Sequence, residues 1–469
     1  MTDVMPSGNL NVEITPANTL SNGKISYKGG APVIQFIIGE QDRLLIGKSV
    51  RLCGQFNIRL DSTGGDTAYA GVNADGTFAN AGAANDPTNL QLPARLGTYA
   101  MIDQLVIKSQ ATHQVIEHVR HYSRFAASFV PVTNSLDDSK AHLSETSLIM
   151  PNYNTFKESV VSNQTSQATT GQQGNSFCMS LPCGLFNGMN DIPLARDWGL
   201  QGLLVEIHLA PDQNVLYNQQ PLGALPFPDA FYELSDVKLV AEMVNPDANQ
   251  MAEFSAQGNT FEYNTISSYF SSINSSNAII NFQLGMRRVL GVFANFIASE
   301  EINSLDWNGT STAPILNTGG LAANINQVVF TRGGTRFPLE YNLDTSQRGD
   351  TATQEQQTVD SQLSRNFLNA VKSFQNLNRS GISTRNTWLS DHTGVDQGQA
   401  DKTAAEGGNV FGIGMAYDNI SGDGVDFSQL NWGVQMDCGL NTDRPHAMYV
   451  FVHSKNTLVF NSTGLQIIQ

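Results

Sequence analysis

The chain is 469 residues long, 14% of them charged and 40% hydrophobic, with a formal net charge of −16. That acidity opposes the counterion release on which binding to a nucleic-acid backbone depends, so direct sequence-specific nucleic-acid binding is not expected. The length exceeds one ordinary core and favours two domains, and a charge content well below the roughly 25% of an average soluble domain leaves a surface of neutral polar groups.

Residues up to about Gly30 are polar and weakly patterned, and the short stretch Leu10-Asn11-Val12-Glu13-Ile14 is expected as an extended arm lying on a partner. Met1 to Gly8 carries neither a basic nor an apolar leader region, and no window approaches ~18 apolar residues, so synthesis in the cytosol is expected. Residues 33–38 and 49–60 are rich in β-branched and aromatic side chains and read as strands. Residues 64–90 are Gly/Ala/Asn-rich without periodicity, which suits a long surface excursion. A hairpin follows, with strands at 102–107 and 115–119 around a polar turn; then come strands at 177–185, 203–209 and 231–244, the last interrupted by Ser235-Asp236, and the first domain closes near Asn245-Pro246.

The second half repeats this texture, with strands expected at 261–266, 278–284, 289–297, 410–417, 432–436 and 448–460. One segment differs. In residues 361–377, Leu363, Phe367, Val371 and Phe374 recur at helical spacing, with Asp360 or Ser361 available as N-cap, so an amphipathic helix is expected there and a loop over 378–408.

Two motifs recur in order. Ile102-Asp103-Gln104-Leu105-Val106-Ile107 with Ile116-Glu117 returns 223 residues later as Ile325-Asn326-Gln327-Val328-Val329-Phe330 with Leu339-Glu340. The stretch from Pro228 to Leu234 returns 217 residues later as Pro445 to Phe451. The chain therefore reads as all-β: an arm over 1–30 and two related antiparallel sandwiches over 31–247 and 248–469, with a few short inserted helices. The jelly-roll kind fits, and so does another Greek-key sandwich.

No arrangement of reactive groups has the spacing of a known chemistry. His113, Glu117, His118 and His121, beside Arg120 and Arg124, lack zinc-helix spacing, and a polar strand surface or subunit contact is expected. Asp418, Asp423, Gly424 and Asp426 miss the ligand spacing of a calcium loop and read as an acidic turn. Gly412-Ile413-Gly414 lacks the third glycine and the helix of a dinucleotide site. Asp137-Asp138 and Glu300-Glu301 are neighbours that rarely reach the separation a glycosidase needs. Phe282, Phe293 and Phe296 sit inside strand patterns, as core filling. The cysteines at 53, 178, 183 and 438 form no CxxC pair and are expected as free thiols. No catalytic residue, cofactor or metal site is expected.

The tandem layout resembles the double jelly-roll major capsid proteins of virophages, Polinton-like viruses and related double-stranded DNA viruses. The likeness rests on Asp191-Ile192-Pro193-Leu194 leading into Leu203 to Ile207, on Ala230 to Leu239, and on Gly334 to Tyr341 followed by the helix at 361–377. It implies two eight-stranded jelly rolls and a homotrimer of pseudo-hexagonal outline. It further implies contacts with neighbouring capsomers, penton and minor capsid proteins, proximity to an inner membrane in some such viruses, and a place in the virion shell. By the same analogy 64–90, 152–175 and 347–408 are tower or inter-subunit segments, and the arm and Leu465 to Gln469 lie near the base. The alternatives are a trimeric viral fibre or attachment protein, and a carbohydrate-active sandwich enzyme in which Glu206, Asp229 or Glu340 would be catalytic. The repeated Glu117 and Glu340 argue instead for a shared structural position.

Overall fold

The computed structural model describes residues 10–18, 23–60, 90–92, 96–133, 144–148, 175–188, 191–196, 199–218, 230–247, 249, 260–299, 327–337, 343–344, 368–370, 372–373, 412–417, 424–437, 446–461 and 464–469.

Among the described residues thirteen strands come from the first half. They are β1 (Leu10–Ile14), β2 (Lys24–Ile25), β3 (Val33–Ile38), β4 (Leu44–Leu45), β5 (Arg51–Leu60), β6 (Leu90–Gln91), β7 (Ile102–Ser109), β8 (Val115–Arg120), β9 (Asn175–Ser180), β10 (Ile192–Pro193), β11 (Leu203–Leu209), β12 (Tyr217–Asn218) and β13 (Ala230–Val244). The second half supplies β14 (Thr260–Ile273), β15 (Asn277–Phe282), β16 (Val289–Ala298), β17 (Gln327–Arg332), β18 (Thr335–Arg336), β19 (Leu343–Asp344), β20 (Gly412–Ala416), β21 (Trp432–Asp437), β22 (His446–Asn461) and β23 (Gly464–Ile468).

The pairing is the same wrap twice. In the first half β1 and β2 pair with the final strand β13, β3 pairs with β11, β5 lies between β13 and β9, and β7 lies between β11 and β8. In the second half β14 pairs with the final strand β22, β15 with β21, β16 lies between β22 and β20, and β17 lies between β21 and β18. First strand against last and second against penultimate, in two facing sheets, is the jelly roll. The open choice between sandwich types is settled by this order.

Alternation explains why these segments pair as they do. In β3 the side chains of Ile34, Phe36 and Ile38 are fully buried while Val33, Gln35 and Ile37 face outward, the period of two that a half-buried strand requires. Tyr232 of β13 stacks on Phe56 of β5 at 5.6 Å between ring centroids, and its hydroxyl donates to the Ala210 carbonyl at 2.6 Å. In the second half Trp432 stacks on Phe282 at 6.0 Å and its indole N–H donates to the Tyr417 hydroxyl at 3.0 Å. Phe282, Phe293 and Phe296 are thus packing residues, and the buried apolar side chains form one cluster that runs through both halves.

Several expectations change. Leu10–Ile14 does not need a partner molecule, because it pairs along residues Leu239 to Met243 of the chain's own β13. Residues 231–244 form one strand, whose register shifts between Ser235 and Lys238 where Asp236 takes φ +51°. The strand expected over 177–185 stops at Ser180; Pro182 cannot donate to a ladder, and Cys183, extended, caps a helical turn by accepting from the Phe186 N–H at 3.4 Å. Within the expected helix at 361–377, residues 368–370 and 372–373 are helical, with Ala370 and Ser373 buried; Leu363, Phe367, Val371 and Phe374 lie outside the described residues.

The repeat also proves uneven. Ala230 pairs with Leu60 and Ala447 with Ile297, so the second motif occupies equivalent places on the final strands. The first hairpin is a longer one, with Glu117 opposite Ile107. The second turns on Gly333 and Gly334 alone, both at positive φ (58° and 83°), as a two-residue primed turn demands. Its register places Thr331 opposite Arg336, and the Phe337 N–H donates to Phe330. Phe330 is the counterpart of Ile107 in the repeat, and its partner across the turn is Phe337 where that of Ile107 is Glu117; Glu340 lies outside the described residues.

Candidate functional site

The densest conjunction of polar and aromatic groups lies where the two sandwiches meet. From the first half it draws β8, the helix α1 (Tyr122–Thr133) that follows it, and the helical turn α2 (Gly184–Asn187); from the second it draws β14, β16 and β22.

Glu117 is its centre. Its side chain turns inward from β8 and is 2% exposed. One carboxylate oxygen accepts from the Gly184 N–H at 2.8 Å and the Ile266 N–H at 2.7 Å, and the other from the Leu185 N–H at 2.8 Å. Burial pushes this carboxyl above its ordinary range, against the opposing pull of the three N–H groups and the Cys183 thiol. The donors belong to both halves, so one ion satisfies the open end of α2 and a ladder position of β14 together. Gly184 permits the approach: a Cβ there would fall 2.5 Å from the Thr265 nitrogen. Beside it the Tyr263 hydroxyl donates to the Ile116 carbonyl at 3.0 Å.

Helix α1 seals the rest. Tyr122, Phe125, Ala126, Ser128 and Phe129 are all buried, so it is covered on every side rather than along a stripe. Phe125 lies 5.2 Å from Phe129 and 5.5 Å from Phe451 of β22. Asn295 of β16 donates to the Arg124 carbonyl at 2.9 Å and the Ser128 hydroxyl at 2.6 Å. The His121 ring sits 5.0 Å from Tyr449, edge-on, and 6.1 Å from Phe270.

The candidates from the sequence are dispersed by this geometry. His113 lies in the hairpin turn at φ +55°, His118 bonds Gln104 at 2.9 Å on the outer face of β8, and His121 belongs to the aromatic contact. Among the described residues no three His, Cys, Asp or Glu side chains converge on a possible metal position. Glu206 is held by Lys108 at 2.6 Å and Gln35 at 3.1 Å, a cross-strand ladder. Asp426 caps its own turn by accepting from the Ser428 N–H at 2.7 Å, and hydrogen bonding from the Ser428 side chain, followed by that N–H, holds its carboxyl below the usual range. Its carbonyl takes two bonds from Arg332. Gly412 and Gly414 are packing glycines of β20, where side chains would collide with Phe293 and Ala370. Asp137, Asp138, Asp229, Glu300, Glu301, Glu340, Asp418, Asp423 and Cys438 lie outside the described residues, as does nearly all of 64–90, 152–175 and 347–408.

No single-sequence signal marks the seam, since the donors to Glu117 lie 67, 68 and 149 residues away. What the arrangement does is mechanical: it welds two jelly rolls into one body.

No protein-family model matches the sequence, and no curated protein matches it. Solved structures do. The chain is similar to a chain of the PBCV-1 virus capsid at 10% identity and a TM-score of 0.51, over 98% of this chain and 96% of that one. It is similar to a chain in the cryo-EM structure of the Sputnik virophage at 14% identity and a TM-score of 0.52, over 99% and 89%. With the Faustovirus major capsid protein the values are 7% and 0.52, over 97% and 90%. At such identities the likeness establishes the fold, a double jelly roll over nearly the whole chain.

Proposed function

We propose that this chain is a structural major capsid protein, assembling as a homotrimer of pseudo-hexagonal outline that tiles the icosahedral shell of a double-stranded DNA virus. The observation that carries the reading is the welded pair of jelly rolls. Three copies of two similar wedges give six wedges about an axis, which suits hexagonal packing, and a shell under load is served by a seam held by a buried ion, a caged helix and a continuous core. The likeness to the PBCV-1 capsid and Faustovirus chains supports the same reading, in which the domains are 31–247 and 248–469.

Two outer strands support subunit contact. Among the described residues β3 and β15 end their sheets, and they present Ile37 at 42% and Ile279 at 67% exposure; exposed aliphatic side chains on outer strands invite cover. Capsomer neighbours, penton and minor capsid proteins are the partners this role requires, and an inner membrane lies beneath the shell in some viruses of this kind. The chain is synthesised in the host cytoplasm and resides in the virion, and the role requires no catalysis.

Size-exclusion chromatography with light scattering and negative-stain microscopy test this. Trimers with flat hexagonal outlines are expected, burying more than ~2,000 Å² per contact as permanent assemblies do. A stable monomer at micromolar concentration or an elongated spike overturns it, the spike favouring an attachment role.

A further inference from the structure

We infer that Cys53 and Cys178 are a modification site: an intramolecular disulfide forms between them when the folded chain meets an oxidised low-molecular-weight disulfide. This stands apart from the capsid reading.

The two residues are direct cross-strand partners in the pairing of β5 with β9, and their sulfurs lie 2.7 Å apart. Residues directly opposed in antiparallel strands have Cα atoms roughly 4.5–5.5 Å apart, inside the roughly 4.4–6.8 Å that a disulfide spans. The bond therefore needs side-chain adjustment only. Both cysteines are free and half-buried, and they share the outer face of the sheet, since Leu52, Phe56, Phe177 and Met179 turn inward. Cys183 is no competitor. It is fully buried and its thiol is engaged with Glu117 and the Phe186 N–H.

The chemistry balances by exchange. One protein thiolate attacks the small disulfide, forming a mixed disulfide and expelling a small thiolate. The second protein sulfur, its proton lost to water, attacks the protein-side sulfur and expels the other small thiolate. Two protein thiols are oxidised and one small disulfide is reduced to two thiols. Burial, followed by the neighbouring Cys178 thiol, pushes the Cys53 thiol up to about 12, so the exchange is slow at neutral pH and quickens as pH rises. The bond would fasten an edge: among the described residues β9 ends its sheet with β5 as its one strand partner, and the link would join residues 125 positions apart.

The full-length chain is exposed, folded, to oxidised glutathione at pH 7 to 9, then quenched, denatured and labelled with a maleimide. The expected result is that two of the four thiols disappear, faster at higher pH, that a reductant restores them, and that peptide mapping joins residue 53 to residue 178. The thermal midpoint rises by several degrees. Cys53→Ser abolishes the loss and Cys183→Ser preserves it; should either variant fail to fold, the peptide map of the unaltered chain decides. Four labelled thiols after prolonged exposure, a persistent glutathione adduct, or a link through Cys183, Cys438 or a second chain overturns the inference.

Discussion

Replacing Glu117 by glutamine exchanges one oxygen at the seam for an NH2 group. The remaining carbonyl oxygen can keep its two donors, Gly184 and Ile266, but the new NH2 group must face the Leu185 N–H, donor against donor. A buried donor left without a partner costs about 1–3 kcal/mol, and hydrogen bonds to a charged acceptor exceed those to a neutral one by roughly 1 kcal/mol each. Against that, the buried charge no longer has to be desolvated. The net expectation for Glu117→Gln is a loss of about 2 kcal/mol, and for Glu117→Ala, which strands three donors and opens a cavity, about 4 kcal/mol. Chemical denaturation measures the loss. Hydrogen exchange locates it, with protection falling at Gly184, Leu185 and Ile266 and unchanged in the β17–β18 hairpin. Glu206→Gln, in a partly exposed pair with Lys108, should cost at most ~1 kcal/mol. If Glu117→Gln leaves both the midpoint and these three amides unchanged, the seam is not held by this ion.

His453 is wholly enclosed with both ring nitrogens unpartnered, and desolvation lowers its pKa from 6.5 to about 3. The unfolded chain therefore binds the extra proton first as pH falls, so stability is full above ~6.5 and drops by about 1.4 kcal/mol per pH unit below it. His453→Leu should flatten this part of a melting-temperature profile taken from pH 7 to 5; an unchanged slope counts against the assignment. Gly184→Ala forces a Cβ onto the Thr265 backbone and should cost about 2–3 kcal/mol or prevent folding, whereas Gly39→Ala, with open space around it, stays within ~0.5 kcal/mol in the same denaturation assay. Glu262 accepts from Arg288 at 2.7 Å and Lys455 at 2.6 Å, partly exposed, so Glu262→Gln should cost about 0.5–1 kcal/mol at low salt and less at 1 M salt, by thermal melts in both.

Strands were readable in the sequence because alternation is local. Residues 54–60 carry it plainly, and the repeat announced the duplicated wrap. Helix α1 was missed for a physical reason. Buried on all sides, it shows no polar face, and Val130-Pro131-Val132-Thr133 reads as β. β14 runs to Ile273 rather than 266: its distal part, Ser267-Ser268-Tyr269-Phe270-Ser271-Ser272, has no clean alternation and is held extended by tertiary pairing, as part of fourteen consecutive pairs between β14 and β22. The seam and the facing cysteines were invisible because both join residues remote in the chain, where spacing carries no information. The register of the hairpin at Gly333-Gly334 was not legible in the repeat, since a loop length changes register without changing the strand's own pattern.

The caged position of α1 constrains the order of events during synthesis. Its sequence leaves the ribosome long before Asn295 and Phe451, the residues that cover its far side. Until those strands arrive, a nascent first sandwich lacks the cover that Phe451 gives Phe125, and the apolar surface left there is a handle for a chaperone and a hazard for premature association. A prematurely terminated chain would keep that surface permanently. Completion of the second wrap thus acts as a checkpoint, withholding a clean exterior from any copy that is not full length.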